Sequence, residues 1–478
     1  LAAAALGALS ESSPSADFAV QISALRLLRL LAGSFGRALV PHKPRLLPPL
    51  GALLLRMRER HAAPAADAPY DSDGCLLGAE ALTTQVFDLL AALAASSRLY
   101  KLLLPALGEL LHSCLSFLEI TPAAHAEWEA DVVEYLQDED DDSFAVSVRV
   151  ATQQLIDELV DSYGGAAVAA LCAAARRRLA EAHEARQAGV QSWWRMREAT
   201  LLAISLASEP IQSANKKASR KHGASAVLQL EHLLEELSHD LAADTPPLLR
   251  GRALCCAAKF SGALAPSSLP PFLQATLDAL HPPHPLCLRF CAARALATFA
   301  RGAAAPLLRP ALHALVAALL PLLPHGGDDG ALLLLHTLAH LLPIDSDAAA
   351  QLEAALTPAL LSVWASRFED ALVASAVVDV FRVLARSPSS LGSLVERVVP
   401  ALAQVFSLQL QQAPAPPADE ECDADGTIEP LPAALRLLDC LLRAWPAELP
   451  LPPAVAELLP SLLRVLAASS HADSVRLG

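Results

Sequence analysis

The 478 residues are 54% hydrophobic but only 4% aromatic, so Leu, Ala and Val must fill the core, and Leu and Ala favour helix. The formal charge of −15 is too unevenly placed for a general solubility bias: residues 121–163 carry twelve acids and one base, while 164–224 carry ten bases and four acids. Nine cysteines without pairing rhythm argue against a disulfide framework and fit a reducing compartment.

In chain order, helix-period segments recur with short, proline-marked breaks. A first helix near Asp17–Leu39 precedes one opened by Pro41 and Pro44. After the loop Ala63–Gly74, helices near Cys75–Ala95 and Arg98–Leu118 form a pair. Residues 127–142, EWEADVVEYLQDEDDD, then form an acidic insert with nine carboxylates and no Lys or Arg. Beyond it the pairs continue: Ser143–Asp161 with Ala166–Gln187, Gln191–Ser208 with Ala226–Leu241, Pro247–Ser261 with Leu269–Leu280, and Leu286–Arg301 with Leu307–Leu323. Further helices run from Ala331 to Gln411 and resume at Pro432, after an acidic, proline-rich loop at 411–429. Residues 209–224 read as a basic loop. No strand run interrupts the series.

The apolar stretch Ala305–Pro324 raises a membrane question. It carries Arg309 and His313 and is broken by four prolines, so buried helices are expected and no membrane insertion. With Leu1 in place of an initiating Met, the sequence reads as a fragment of a longer chain, and no signal peptide can be judged from it.

Short segments that set an Arg beside aliphatic and small residues recur around Arg149, Arg197, Arg250 and Arg289, spaced by about 40–50 residues, which brackets the period of HEAT and armadillo repeats. The expected fold is all-α: one continuous HEAT-repeat solenoid over residues 1–478, a right-handed superhelix of antiparallel helix pairs. The arginines are expected to be structural, stacked between successive helices.

The segments Trp128–Leu155 (WEADVVEYLQDEDDDSFAVSVRVATQQL), Ala169–Ala182, Trp193–Ile204 (WWRMREATLLAI), Leu248–Leu264 (LLRGRALCCAAKFSGAL) and Pro270–His281 resemble, in the same order, the middle of the importin-9 group of karyopherin-β nuclear transport receptors. Outside residues 120–300 the resemblance is diffuse, resting on helix pattern and on Phe368–Phe381. It implies a receptor that shuttles between cytoplasm and nucleus as a monomer. Its partners would be core histone dimers, ribosomal proteins and other basic cargo, nucleoporin Phe-Gly repeats, and Ran in its GTP form, and it would also chaperone histones. The family's main Ran surface, in N-terminal repeats, and its acidic C-terminal loop have no counterpart in these residues.

In that family an acidic loop contacts Ran or cargo, a role carried here to Asp138, Glu139, Asp140, Asp141 and Asp142, with Glu127, Glu129, Asp131 and Glu134 as secondary contacts. Five consecutive acids suit neither catalysis nor an EF-hand, because they repel one another into a hydrated segment; basic tails relieve that repulsion. Lys216, Lys217, Arg220 and Lys221 form a basic cluster that could meet acidic surfaces; no aromatic residue interleaves it, so direct nucleic-acid binding is not expected. Arg176–Arg178 read as an exposed helical face paired with Glu181 and Glu184. One of Trp193 and Trp194 should be core. His281, His284, Cys287 and Cys291 have metal-like spacing, but the cysteines share an apolar face, so no zinc site is expected, and no cofactor. No phosphate loop, dinucleotide fingerprint, HExxH or GxSxG is present, so the reading is a binding protein rather than an enzyme. The competing reading is a structural HEAT-repeat scaffold with a passive acidic loop.

Overall fold

The computed structural model describes residues 1–10, 18–61, 77–139, 147–220, 225–412 and 430–468. Among these the chain is helical, with short 3-10 turns and no strand. In order, the helices are α1 (Ala2–Ser10), α2 (Phe18–Ser34), α3 (Gly36–Leu39), α4 (Lys43–His61), α5 (Ala79–Ala95), α6 (Leu107–Phe117), α7 (Pro122–Ala130) and α8 (Val132–Asp138). There follow α9 (Val148–Tyr163), α10 (Gly165–Gln187), α11 (Trp193–Leu206), α12 (Ser208–Ser219), α13 (Leu230–Asp240), α14 (Pro247–Phe260), α15 (Pro270–Ala279) and α16 (Leu286–Arg301). The remainder are α17 (Ala305–Leu308), α18 (Leu312–Leu319), α19 (Gly327–Leu341), α20 (Ser346–Arg367), α21 (Ala371–Leu384), α22 (Pro388–Gln412), α23 (Pro430–Ala444) and α24 (Pro453–Ala468).

The described chain contains two compact units: residues 1–265 with 284–291, and residues 266–283 with 292–478. In the first unit, α5, α9, α11 and α14 follow one another side by side, and α10 packs on both α6 and α11. Aliphatic side chains fill the core, and Phe87 and Phe117 meet edge to face at 5.2 Å. The α9–α10 turn is tight because Gly164 takes φ +53°, a conformation that costs a residue with a Cβ. Gly251 matters for a different reason: a Cβ there would collide with the Cys291 side chain, so α14 and α16 approach at a point where only glycine fits.

In the second unit, α20 packs on α21 and α22, and α22 on α23 and α24. Asp345 and Asp370 cap α20 and α21 by accepting from backbone N–H groups. By length and composition alone, Ala305–Leu322 and Pro388–Leu408 could each cross a membrane. Each instead has two unlike faces. Leu308, Leu312, Leu315, Val316, Leu319 and Leu322 are buried while Arg309 and His313 are exposed; Leu394, Val398, Leu402 and Phe406 are buried while Glu396, Arg397 and Gln404 are exposed.

Two loop expectations are corrected. Residues 127–138 lie in α7 and α8: Thr121 caps α7, with Pro122 in its first turn, and Asp131 caps α8. Repulsion along the stretch is offset because Trp128, Tyr135 and Leu136 turn inward together. Residues 208–219 are likewise helical, since Ile211 is buried and the Asn215 side chain bridges Val227 N and Leu228 O. Residues 221–224 and 413–429 lie outside the described residues; of the expected acidic loop at 411–429, residues 411 and 412 end α22.

Candidate partner-binding surface

The α7–α8 hairpin is held by side chains from several helices of the first unit rather than by packing along one of them. His125 rests 5.4 Å from the Trp194 ring on α11, and the Arg149 guanidinium of α9 lies 5.7 Å from the Trp128 ring. Trp128 and Tyr135 meet edge to face at 5.4 Å, and the Trp128 indole N–H donates to Asp138 at 3.2 Å, closing the hairpin on itself. On α16, the Cys287 thiol donates to the Trp128 carbonyl at 3.2 Å, and the Tyr135 hydroxyl bonds with Cys291.

Glu139, at the end of α8, completes a buried set of four charges. One of its oxygens accepts from Arg149 at 2.9 Å, the other from Arg252 of α14. Opposite it, Glu198 of α11 accepts from Arg149 at 2.7 Å and from Arg252 at 2.8 Å. The four side chains are 2–8% exposed, so this is an interior lattice of alternating charge drawn from three repeat helices and the hairpin. Burial opposes the charge on both arginines; Glu198 and Glu139 outweigh it, and both guanidiniums are held above their ordinary value. Arg149 also donates to the Leu118 carbonyl just beyond α6.

The predicted contact residues therefore separate. Glu139 is interior, Asp138 is half-buried and spent on Trp128, and Asp140, Asp141 and Asp142 lie outside the described residues. Glu127, Glu129, Asp131 and Glu134 all face solvent, with only a 3.7 Å approach of His125 to Glu129 and the Asp131 cap. Among the described residues of the hairpin, the outward carboxylates are the ones expected to be secondary. Lys216, Lys217 and Arg220 are exposed at the end of α12, and Lys221 lies outside the described residues.

Of the recurring arginines, Arg149 is central. Arg197 reaches Asp240 (2.8 Å) and Glu236 (3.2 Å) on α13. Arg252 occupies the buried position, whereas the expected Arg250 is half-buried. Burial lowers the Arg289 guanidinium below its ordinary value. Arg177 pairs with Glu181 as expected, but Arg178 turns partly inward to Glu119 as well. Trp194 is core, and Trp193 is half-buried with Arg186 stacked 4.5 Å over its ring. Cys287 and Cys291 are engaged by the hairpin, and burial raises both thiols, that of Cys287 to about 11. No group of three or more potential metal ligands occurs among the described residues.

No protein-family model matches the chain. Importin-9 of Drosophila melanogaster is 22% identical over 409 residues, 82% of this chain; the chain spans 39% of that relative's length. Among solved structures, Kap121p bound to RanGTP aligns with a TM-score of 0.56 at 15% identity, over 95% of this chain and 39% of that one. Importin beta aligns at 0.59 and 12% identity, over 97% and 49%. Kap95p, from a structure describing RanGDP with switch loops in the GTP-bound conformation, aligns at 0.57 and 14% identity, over 100% and 50%. These alignments establish the all-α, HEAT-repeat class of the fold.

Proposed function

We propose that the chain is part of an importin-9-like nuclear import receptor of the importin-β superfamily. It acts by binding rather than by chemistry. It takes up basic cargo, core histone dimers and ribosomal proteins foremost, shields histones as a chaperone, and answers to Ran in its GTP form. Such a receptor moves between cytoplasm and nucleus as a monomer, through contacts with nucleoporin Phe-Gly repeats. The sequence match to importin-9 supports the class, and the solved Kap121p and Kap95p structures with Ran support the regulator.

One observation carries the cargo reading. Glu127, Glu129, Asp131 and Glu134 are exposed on a hairpin whose other side is fixed by buried aromatic rings and charge pairs. A rigid acidic surface attracts Lys- and Arg-rich segments without losing order in the encounter. The test is binding of a core histone dimer by the 478-residue chain across a salt series. Changing Glu127, Glu129 and Glu134 to Gln and Asp131 to Asn is expected to weaken binding by about tenfold at low salt and to flatten its salt dependence. Asp140–Asp142 changed to Asn form a second arm. Affinity indifferent to salt and to both sets would favour a scaffold with a passive insert, a reading for which the interior position of Glu139 speaks.

A further inference from the structure

We propose that the α7–α8 hairpin is a strap that seats or lifts as one body, with the buried Glu139 carboxylate as its catch. The fastenings lie on four helices: Arg149 on α9, Trp194 and Glu198 on α11, Arg252 on α14, and Cys287 and Cys291 on the part of α16 that belongs to the first unit. The hairpin belongs to none of these helices, so its seating depends on their spacing, and their spacing is tied in turn by its contacts. The catch is all-or-none for an electrostatic reason. Withdrawing Glu139 leaves two interior guanidiniums facing the single carboxylate of Glu198, an imbalance that no partial displacement relieves. The aromatic contacts follow, because Trp128 and Tyr135 are joined ring to ring and Trp128 to Asp138. Lifting would free the Cys287 thiol from the Trp128 carbonyl and open the side of the Cys291 thiol that meets Tyr135, the other side resting on Gly251 of α14. The inference requires no cargo or Ran and stands apart from the receptor reading.

The test uses the 478-residue chain without partners and follows two signals: hydrogen exchange, and thiol labelling resolved by residue with mass spectrometry. In Glu139→Gln, amides across α7 and α8 should exchange about tenfold faster as a group. Cys287 and Cys291 should label faster in step, with α5, α6 and α10 unchanged. A second variant, Glu139→Gln with Arg252→Met, leaves Arg149 and Glu198 as a balanced pair, so the melting temperature should recover while the thiols stay fast. Three results would overturn the proposal: wild-type labelling and exchange in Glu139→Gln, acceleration spread equally over α5, α6 and α10, or wild-type protection of both thiols in the balanced double variant.

Discussion

At the residue scale, the decisive groups are charges that water does not reach. Glu198 holds both Arg149 and Arg252, so Glu198→Ala should cost about 3–5 kcal/mol in denaturant unfolding, since it strands two buried cations. A histidine supplies the pH dependence. Burial, reinforced by the charge of Arg149, lowers His61 below 6.5, where its ring packs 5.5 Å from Phe117. Between the lowered folded value and the ordinary one, the folded chain keeps His61 neutral while the unfolded chain protonates it. The associated stability is complete above pH 6.5 and is lost as pH falls through the lower folded value. His61→Leu should narrow the gap between melting temperatures measured at pH 7.5 and 5.5. How far the sequence reaches is clearest at the arginines. Arg149 was marked by its repeat spacing, but Arg252 was missed in favour of Arg250. Two residues on a helix turn a side chain to nearly the opposite face, and short motifs do not resolve that. A usable signal was present: Arg149, Glu198 and Arg252 alternate in sign at separations of 49 and 54 residues.

At the scale of the element, the acidic insert shows what composition conceals. So many carboxylates suggest a hydrated insert, yet over residues 127–138 the caps Thr121 and Asp131 open helices from which Trp128, Tyr135 and Leu136 turn inward. Caps and periodicity are local signals and could have been read; the fastening of the hairpin by side chains of four helices depends on contacts more than a hundred residues apart and could not. Asp131 separates structure from charge. Asp131→Ala should destabilise α8 by about 1 kcal/mol, seen as faster exchange in that helix, whereas Asp131→Asn keeps the cap and should leave exchange unchanged while weakening histone binding.

At the scale of the molecule, helix class and repeat order were legible because hydrophobic period and proline breaks are written along the chain. The division into two units was not, because it interleaves: residues 266–283 belong with the second unit and 284–291 with the first. A cut at 265 therefore removes Cys287 and Cys291 from beneath the hairpin. A chain ending at residue 265 should show faster exchange in α7 and α8 than one ending at 301, with α5 and α6 protected alike in both.

The poverty of aromatic residues has an optical consequence. Of five tryptophans, Trp128 lies in the hairpin and Trp193 and Trp194 open the helix beside it, while Trp364 and Trp445 are elsewhere. Intrinsic emission is thus weighted toward one small neighbourhood, where Arg149, Arg186 and Arg195 stand over the indole rings. A red shift on titrating a ligand that contains no tryptophan would report on that neighbourhood without any attached dye.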